Sequence, residues 1–292
     1  MPQTLDLTAG KIEYDDTGGE GPVVVFVHGL LVDGTLWRKV VARLDGFRCI
    51  VPTLPLGSHR IPVRDRAALT PLGVADLLAE FLDRLELEDV TIVANDTGGA
   101  ITQLLLTHRP ERVGRVVLTP CDAFENFLPP AFRPLQWAAK ARLLAPSLLA
   151  MRIRALRSTP LAYGLLSKRP IPADVLAGWV APALADRRVR GDAQHFTRQI
   201  DKRLTLDAAA RLGAFDRPVL LAWAAEDRFF KIAFAERLAA VFPDARVEPV
   251  ADSWTFVSED QPEVLAELIA GFAGSHSGGR TPAGTVPAGG VR

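Results

Sequence analysis

The feature that most limits what this chain can fold into is a regular alternation of short apolar runs with segments of helical spacing. Runs of strand length include "PVVVFVHG" (22–29), "DVTIVAN" (89–95) and "PVLLAWAAED" (218–227). Continuous apolar runs are typical of strands covered on both faces, and strands that alternate with helices predict a parallel sheet wrapped by helices. The sequence therefore predicts an α/β fold with a mostly parallel, doubly wound sheet.

The alternation is interrupted once. Residues 122–215 show helical patterns only, broken by several prolines, and strands resume after them. This predicts a core of residues 1–121 and 216–273 with an inserted helical cap of residues 122–215. The remaining residues, 274–292, are rich in Gly, Pro, Ser and Thr and predict a disordered tail. Ligands of open α/β sheets bind at the carboxyl ends of the strands, where we expect the cap to lie.

The segment "VANDTGGA" (93–100) lies where a predicted strand turns into a predicted helix. A nucleophile raised on such a tight turn needs small neighbours, and Asp96 has Ala94 before it and two glycines after it. Centring the turn on Thr97 would place Asn95 where a small residue belongs. The alternative is that Asp96 only caps the next helix, since Asp is a favoured N-cap.

Several segments together resemble the α/β-hydrolase superfamily over about residues 3–273. They are "HGLLVDGTLW", "ANDTGGA", the helical insertion and "AAEDRFF". An Asp at the elbow is similar to haloalkane dehalogenases and epoxide hydrolases, and "LPLGSHR" and "CDAFENF" resemble uncharacterised actinobacterial members. The resemblance implies that Asp96 is the nucleophile and that the N–H groups of Leu30 and Thr97 form an oxyanion hole. It implies that Asp227 is the acid, with Asp122 at the alternative position.

The catalytic histidine of this family has no counterpart at its usual place. In "ADSWTFVSEDQPE" (251–263), alignment on Pro262 puts Trp254 where the family has Gly and Thr255 where it has His. A hydroxyl cannot replace imidazole as a general base at neutral pH. His59 is the first candidate for a substitute and His195, in the insertion, is the second.

Other departures leave the substrate class open. Thr97 and Leu30 stand where haloalkane dehalogenases usually hold the halide with Trp and Asn, and Tyr163 is the one tyrosine in the predicted cap. Trp137, Trp179 and Trp254 could line an apolar pocket. The sequence thus predicts a hydrolase-like enzyme for a small, largely apolar epoxide, haloalkane or ester. The alternatives are a ligand-binding protein without turnover and a lyase or isomerase that uses Asp96 as a base.

Charge and composition argue for a small-molecule ligand. The chain of 292 residues has 34 Lys and Arg against 34 Asp and Glu, and zero net charge gives no overall attraction to nucleic acid or to anionic lipid. Arginines in the predicted cap are interpreted as a solvated helix face. With two cysteines, Cys49 and Cys121, and no phosphate-binding loop, we predict no metal and no cofactor. The N-terminus lacks a signal-peptide pattern, so we predict a cytoplasmic protein, of open oligomeric state.

Overall fold

A computed structural model describes residues 2–160 and 162–274, so the predicted tail lies outside the described residues from residue 275 onward. The described residues form an eight-stranded sheet of order β1-β2-β4-β3-β5-β6-β7-β8. The β1–β2 and β2–β4 pairs are antiparallel and the others are parallel, which confirms the predicted fold class. The strands are β1 Gln3–Leu7, β2 Gly10–Asp16, β3 Val23–Val27, β4 Arg48–Thr53, β5 Val90–Asp96, β6 Val113–Cys121, β7 Val219–Ala224 and β8 Ala245–Val250.

The α-helices follow the strands in the predicted order. They are α1 Arg38–Val41, α2 Pro71–Arg84, α3 Thr97–His108, α4 Arg133–Lys140, α5 Leu144–Leu148, α6 Arg154–Arg157, α7 Ala173–Ala185, α8 Arg187–Gln199, α9 Lys202–Ala209, α10 Ile232–Ala239, α11 Val257–Asp260 and α12 Pro262–Gly274. Short 3-10 helices cover Gly34–Trp37, Arg66–Ala68, Pro130–Phe132, Leu149–Arg152 and Leu212–Ala214. No helix among the described residues is both long enough and apolar enough to cross a membrane.

Local sequence explains where two of these helices begin. Pro71 opens α2, and the hydroxyl of Thr70 accepts a hydrogen bond from Gly73 N at 2.9 Å, which makes Thr70 the N-cap. Asp33 likewise accepts from Thr35 N at 2.9 Å. A 3-10 turn follows Asp33 and leads into the single turn of α1, and Leu36 and Trp37 within that turn are buried.

The core lies on both faces of the sheet. Along β3, Val25 packs into one apolar cluster together with α2 and α3, whereas its neighbours Val24 and Phe26 pack into another with α1 and α12. Side chains of a strand alternate between faces, so a strand that is covered on both sides must be apolar throughout. This is why the run "VVVFV" has no polar residue.

The insertion, defined here as residues 122–215 between β6 and β7, contains helices α4–α9. It docks on the loop that follows β3. Tyr163 donates its hydroxyl hydrogen to Leu31 O at 2.6 Å, and Trp179 Nε1 donates to Thr35 Oγ1 at 2.8 Å. Because β3 and β5 are parallel neighbours, this loop lies at the same sheet edge as Asp96, and the insertion covers that edge.

Candidate active site

The strand-to-helix turn holds Asp96 in a strained conformation. Asp96 ends β5 with φ 53° and ψ −132°, and α3 begins at Thr97. A residue with a side chain rarely adopts such angles, which typically cost about 1–3 kcal/mol and cluster at functional sites. The Asp96 side chain makes no capping hydrogen bond to α3. The geometry thus resembles a nucleophile elbow more closely than a simple helix cap.

Glycines around the elbow allow the close approach of three segments. A Cβ on Gly29 would overlap the Asp96 carboxylate, and one on Gly98 would overlap the carbonyl oxygens of Val27 and His28. A Cβ on Gly99 would overlap the side chain of Cys121. Small residues are therefore required here by contact, as the spacing in "ANDTGGA" predicts.

Backbone donors surround the Asp96 carboxylate. Leu30 N donates a hydrogen bond to Asp96 Oδ2 at 3.1 Å, and the N–H groups of Thr97 and Leu30 both lower the pKa of Asp96. Burial acts in the opposite direction and dominates, so the pKa of Asp96 rises to about 6. The negative charge of Asp227 raises it further. Asp96 is therefore an anion at neutral pH with a basicity above that of an ordinary carboxylate.

Asp227 lies beside Asp96 and faces Thr255. Its Oδ1 accepts hydrogen bonds from Phe229 N and Phe230 N, both at 2.7 Å, whereas Oδ2 has no partner among the described residues. Burial raises the pKa of Asp227 to about 6. The Thr255 hydroxyl is close enough to lower this pKa, although the two groups do not reach the geometry of a hydrogen bond. Thr255 itself is fully buried.

Asn95 joins the elbow to the loop that carries Thr255. Its Nδ2 lies 2.8 Å from Thr255 O, 2.9 Å from Thr119 Oγ1 and 2.9 Å from Pro120 O. The sequence reading treated Asn95 only as a test of where the turn is centred and missed this role. The sequence signal for this role was a residue with a side-chain amide, next to the elbow, in a strand that the sheet buries.

Asp260 fixes the same loop from the other side. Its two oxygens accept from Ser167 Oγ at 2.7 Å and from Lys168 N, Arg169 N and Trp254 N at 2.9 Å each. Sequence reasoning missed this residue as well. Asp260 connects the insertion to the loop after β8, so the backbone at Thr255 is held on both sides.

Asp122, the alternative acid, is also buried next to the elbow. Thr97 Oγ1 donates to Asp122 Oδ2 at 3.2 Å, and Asp122 N donates to Asp96 O at 3.3 Å. Burial and the charge of Asp96 hold the pKa of the Asp122 carboxyl well above its usual range. Both effects favour the protonated form of Asp122.

The histidines of the described part of the chain are engaged elsewhere. His28 is buried, with Nδ1 2.8 Å from Gly29 O and Nε2 accepting from Leu54 N at 2.9 Å, and burial lowers its pKa. His59 Nδ1 accepts from Gly57 N at 3.2 Å, and Nε2 lies 3.3 Å from Asp192 Oδ2 in the insertion. Neither histidine has a ring nitrogen free to act on a group bound at Asp96.

His195 likewise contacts a neighbour on its own helix. It lies on α8, with Nε2 3.4 Å from Gln199 Nε2, and burial lowers its pKa. His108 lies at the end of α3 beside Thr107. No histidine in residues 2–160 or 162–274 hydrogen-bonds Asp96 or Asp227, and His276 lies outside the described residues.

A cavity of about 430 Å³ opens above Asp96. Its wall is almost entirely apolar and is formed mainly by the insertion, with Leu128, Leu135, Leu144, Leu148, Met151 and Trp179 among the lining residues. Among the lining residues that the structure describes, Asp96 has the one charged side chain. Tyr163 also lines the cavity, but its hydroxyl is used by Leu31 O. The cavity suits an apolar ligand that meets a carboxylate.

Only one of the three tryptophans proposed for the pocket lines it. Trp179 does so, whereas Trp137 points outward from α4 with 65% of its surface exposed. Trp254 instead stacks on the exposed side chain of Arg228, whose Cζ lies 3.9 Å from the ring centroid. The prediction was therefore wrong for Trp137, which lies on the outer face of a short helix, and for Trp254, which lies in the loop after β8.

The arrangement brings a strained carboxylate, two N–H donors and a buried partner acid together under an apolar cavity. Among the described residues, no group of three or more His, Cys, Asp or Glu side chains is arranged to hold a metal ion. Residues 22–261 match the model of a family described as alpha/beta hydrolase fold.

Known proteins resemble the chain along most of its length. Haloalkane dehalogenase 2 of Mycobacterium tuberculosis is 28% identical over 286 residues, which cover 91% of this chain and 92% of that protein. Cis-3-alkyl-4-alkyloxetan-2-one decarboxylase of Xanthomonas campestris is 31% identical over 290 residues, covering 93% and 95%. The crystal structure of a haloalkane dehalogenase from Bradyrhizobium elkani superposes with a TM-score of 0.77 at 21% identity, covering 94% and 98%.

Proposed function

The chain belongs to the alpha/beta hydrolase fold family, as its motifs indicate, and on this premise we propose that Asp96 is the nucleophile of an enzyme for small, largely apolar electrophiles. The observation that carries the proposal is that, of the described residues that line the cavity, Asp96 alone is charged. Substrates of the epoxide, haloalkane or ester type fit it, because each offers an electrophilic carbon on an apolar body. The insertion acts as the cap that excludes water.

The first step follows from the geometry of Asp96. Its carboxylate oxygen attacks the electrophilic carbon, the bond to the leaving group breaks, and an ester forms on Asp96. The N–H groups of Leu30 and Thr97 then serve as the oxyanion hole for the ester carbonyl oxygen. One such donor typically contributes about 10²–10³-fold in rate.

The second step is where this chain departs from its relatives. Hydrolysis of the ester needs a base to activate water, and Thr255 occupies the position of the family histidine, facing Asp227. General-base catalysis typically contributes about 10²–10⁴-fold. We therefore expect the ester on Asp96 to form and then to persist.

A second candidate reaction avoids this difficulty, and the 31% identical decarboxylase favours it. With a dialkyl oxetan-2-one, Asp96 attacks the alkyl-bearing ring carbon that is bonded to the ring oxygen. The bond between this carbon and the ring oxygen breaks, and a free carboxylate remains on the neighbouring carbon. Loss of CO₂ then supplies the electron pair for a C=C bond as the C–O bond to Asp96 breaks. Asp96 is regenerated without water or imidazole. This is also the lyase alternative, with Asp96 as nucleophile rather than base.

The test is intact-mass measurement after exposure to one epoxide, one haloalkane, one activated ester and one dialkyl oxetan-2-one. We expect an adduct that maps to Asp96 with at least one of the first three, and alkene with CO₂ from the oxetanone if the second candidate holds. Asp96→Asn, which keeps the shape of the side chain, is the control and should give neither. Saturable binding of these compounds without adduct or product would favour a ligand-binding protein and contradict both candidates.

A further inference from the structure

The wall of the cavity belongs to a stretch of chain with one sign of charge. Residues 126–173 contain no Asp and no Glu, although the whole chain has equal numbers of acidic and basic residues. The stretch has eight basic residues, namely Arg133, Lys140, Arg142, Arg152, Arg154, Arg157, Lys168 and Arg169. A balanced total charge therefore conceals a strongly basic region.

Five of these cations form what we call the basic face. These five are Arg133, Lys140, Arg142, Arg152 and Arg154. All of them are exposed, and within residues 2–160 and 162–274 none has an ion-pair partner. Elsewhere in the insertion, Arg188 pairs with Asp186 at 2.8 Å and Arg203 pairs with Asp201 at 2.6 Å. Both of these pairs lie outside residues 126–173, and no described acidic side chain forms an ion pair with the basic face.

Large apolar side chains stand among these cations. Trp137 is 65% exposed, Leu143 57% and Ile153 59%, against 39% for both Leu206 and Val264. All three lie within residues 137–153, and contiguous exposed apolar surface marks interaction sites. Their contact with water is unfavourable, and no described part of the chain covers them.

Helix α4 shows how the basic face relates to the cavity. Arg133, Trp137 and Lys140 are spaced i, i+4, i+7 and are exposed on one side of the helix, whereas Leu135 and Ala138 line the cavity on the other. The lining residues Ala131, Pro134, Ser147 and Pro160 are themselves exposed and mark where the cavity reaches the surface. Its mouth therefore opens within the same stretch.

We propose that the basic face, with Trp137, Leu143 and Ile153, binds the surface of an anionic lipid bilayer. Helices that combine basic residues with Trp and aliphatic side chains insert their apolar groups at the boundary of head groups and acyl chains, while Lys and Arg are attracted by anionic lipids. The apolar mouth then faces the acyl region. The proposed binding to a bilayer does not depend on the proposed function. The further inference that the cavity takes its substrate from the bilayer rests on the proposed function.

This proposal replaces the prediction that no membrane is a partner. That prediction used the net charge of the whole chain, which averages over a separation of charge along the sequence. The interpretation of the insertion arginines as a solvated helix face also changes for Arg152 and Arg154, which have no acidic neighbours within the stretch.

The experiment is co-sedimentation of the full chain with vesicles of phosphatidylcholine and phosphatidylglycerol in equal amounts, compared with pure phosphatidylcholine vesicles. We expect binding to the anionic vesicles that weakens as salt shortens the Debye length. A Lys or Arg near such a surface contributes about five-fold in partitioning, so Arg142→Glu with Arg152→Glu should weaken binding by at least ~25-fold. Lys11→Glu with Arg187→Glu changes the net charge equally, at exposed and unpaired cations elsewhere, and should leave binding near that of the parent.

The apolar side chains are tested separately. Trp137→Ser should weaken binding about ten-fold, since burial of a large apolar side chain contributes that much or more, whereas Val264→Ser should have little effect. The fluorescence of Trp137 should shift to the blue with anionic vesicles, and Trp137→Phe should abolish most of this shift while binding persists. Absence of sedimentation with anionic vesicles at low salt would overturn the proposal. A self-associating chain that loses its oligomeric state on Trp137→Ser, without vesicle binding, would assign this surface to a second copy instead.

These outcomes are independent of the chemistry at Asp96. Asp96→Asn should sediment with anionic vesicles like the parent, because Asp96 lies at the inner wall of the cavity. A parent chain that binds vesicles but gives neither adduct nor product would therefore contradict only the proposed function. A parent chain that gives adduct or product but does not bind vesicles would contradict only the bilayer proposal.

Discussion

Replacing Thr255 with His should restore the hydrolytic step at Asp96. The site is prepared for an imidazole in one respect: Asp227 Oδ1 is fully used by two N–H donors at 2.7 Å, whereas Oδ2 has no partner among the described residues. The Thr255 hydroxyl lies close enough to the Asp227 carboxylate to lower its pKa. An imidazole N–H at residue 255 could donate to it, which would orient the ring and fix its tautomer.

The magnitude has two parts. A general base contributes about 10²–10⁴-fold to rate, equivalent to about 3–5 kcal/mol in the barrier to ester hydrolysis. Thr255 is fully buried, so the larger ring should cost about 1–3 kcal/mol of stability through overpacking. Trp254 is the neighbour that can crowd the ring, and Thr255→His with Trp254→Gly should recover part of the gain if it does.

The assay is a single-turnover measurement. The ester on Asp96 is formed with an activated substrate, excess reagent is removed, and the decay of the adduct mass is followed. Thr255→Gln is the matched control, because it adds similar bulk without a base at neutral pH. Adding Asp227→Asn to Thr255→His should remove most of the gain, because the amide cannot stabilise the imidazolium that forms.

The reasoning would be refuted by a folded Thr255→His variant whose ester decays no faster than that of Thr255→Gln. Loss of the adduct at equal rates in all variants, including the parent, would show that Asp96 already has a competent base. Melting curves for each variant separate this result from a failure to fold.

Three further predictions concern the same site and its supports. The rate of adduct formation should rise with pH through about 6, because the pKa of Asp96 is raised to that value and the nucleophilic anion is lost below it. Asp227→Asn should move the midpoint of this rise to lower pH. A pH profile of the adduct mass that is flat between pH 5 and 8 would contradict this prediction. Gly29→Ala should reduce the rate of adduct formation at least ~10-fold, because the added Cβ would displace the Asp96 carboxylate and a misplacement of about 1 Å can reduce a rate about 10²-fold. An unchanged rate would show that the loop can shift to accommodate the added methyl group. Asp192→Ala should lower the free energy of unfolding by about 1–3 kcal/mol in denaturant titrations, because it removes the acceptor of the buried His59 ring and of the half-buried Val63 N–H, whereas the exposed Arg66 can be solvated. No measurable loss would contradict that account.

The fold and the elbow could be read from the sequence because both are local signals. The apolar run of β3 needs no knowledge of its partners, since burial on both faces leaves only apolar residues. The glycines beside Asp96 follow from the tightness of a turn. The aligned position of Thr255 was also available, because Pro262 opens the last helix and gives a fixed reference point.

The rest of the site depends on contacts between distant segments. Asn95 bonds to a carbonyl 160 residues away, and Asp260 bonds to Ser167, 93 residues away. A polar residue in a sequence does not state which backbone groups it will meet after folding. The outward position of Trp137 was missed for a related reason: α4 has eight residues, which is too short for a spacing pattern to fix the buried face.

The four hydrogen bonds accepted by Asp260 also limit how this protein can be recombined with its relatives. A chimera that exchanges residues 122–215 at the ends of β6 and β7 would appear to swap a self-contained module. Such an exchange would separate Asp260 and the Trp254 loop from the three donors at residues 167–169. A buried carboxylate without its donors is strongly destabilising. Exchange boundaries for this family member should therefore carry the segment from residue 251 to 261 along with the insertion.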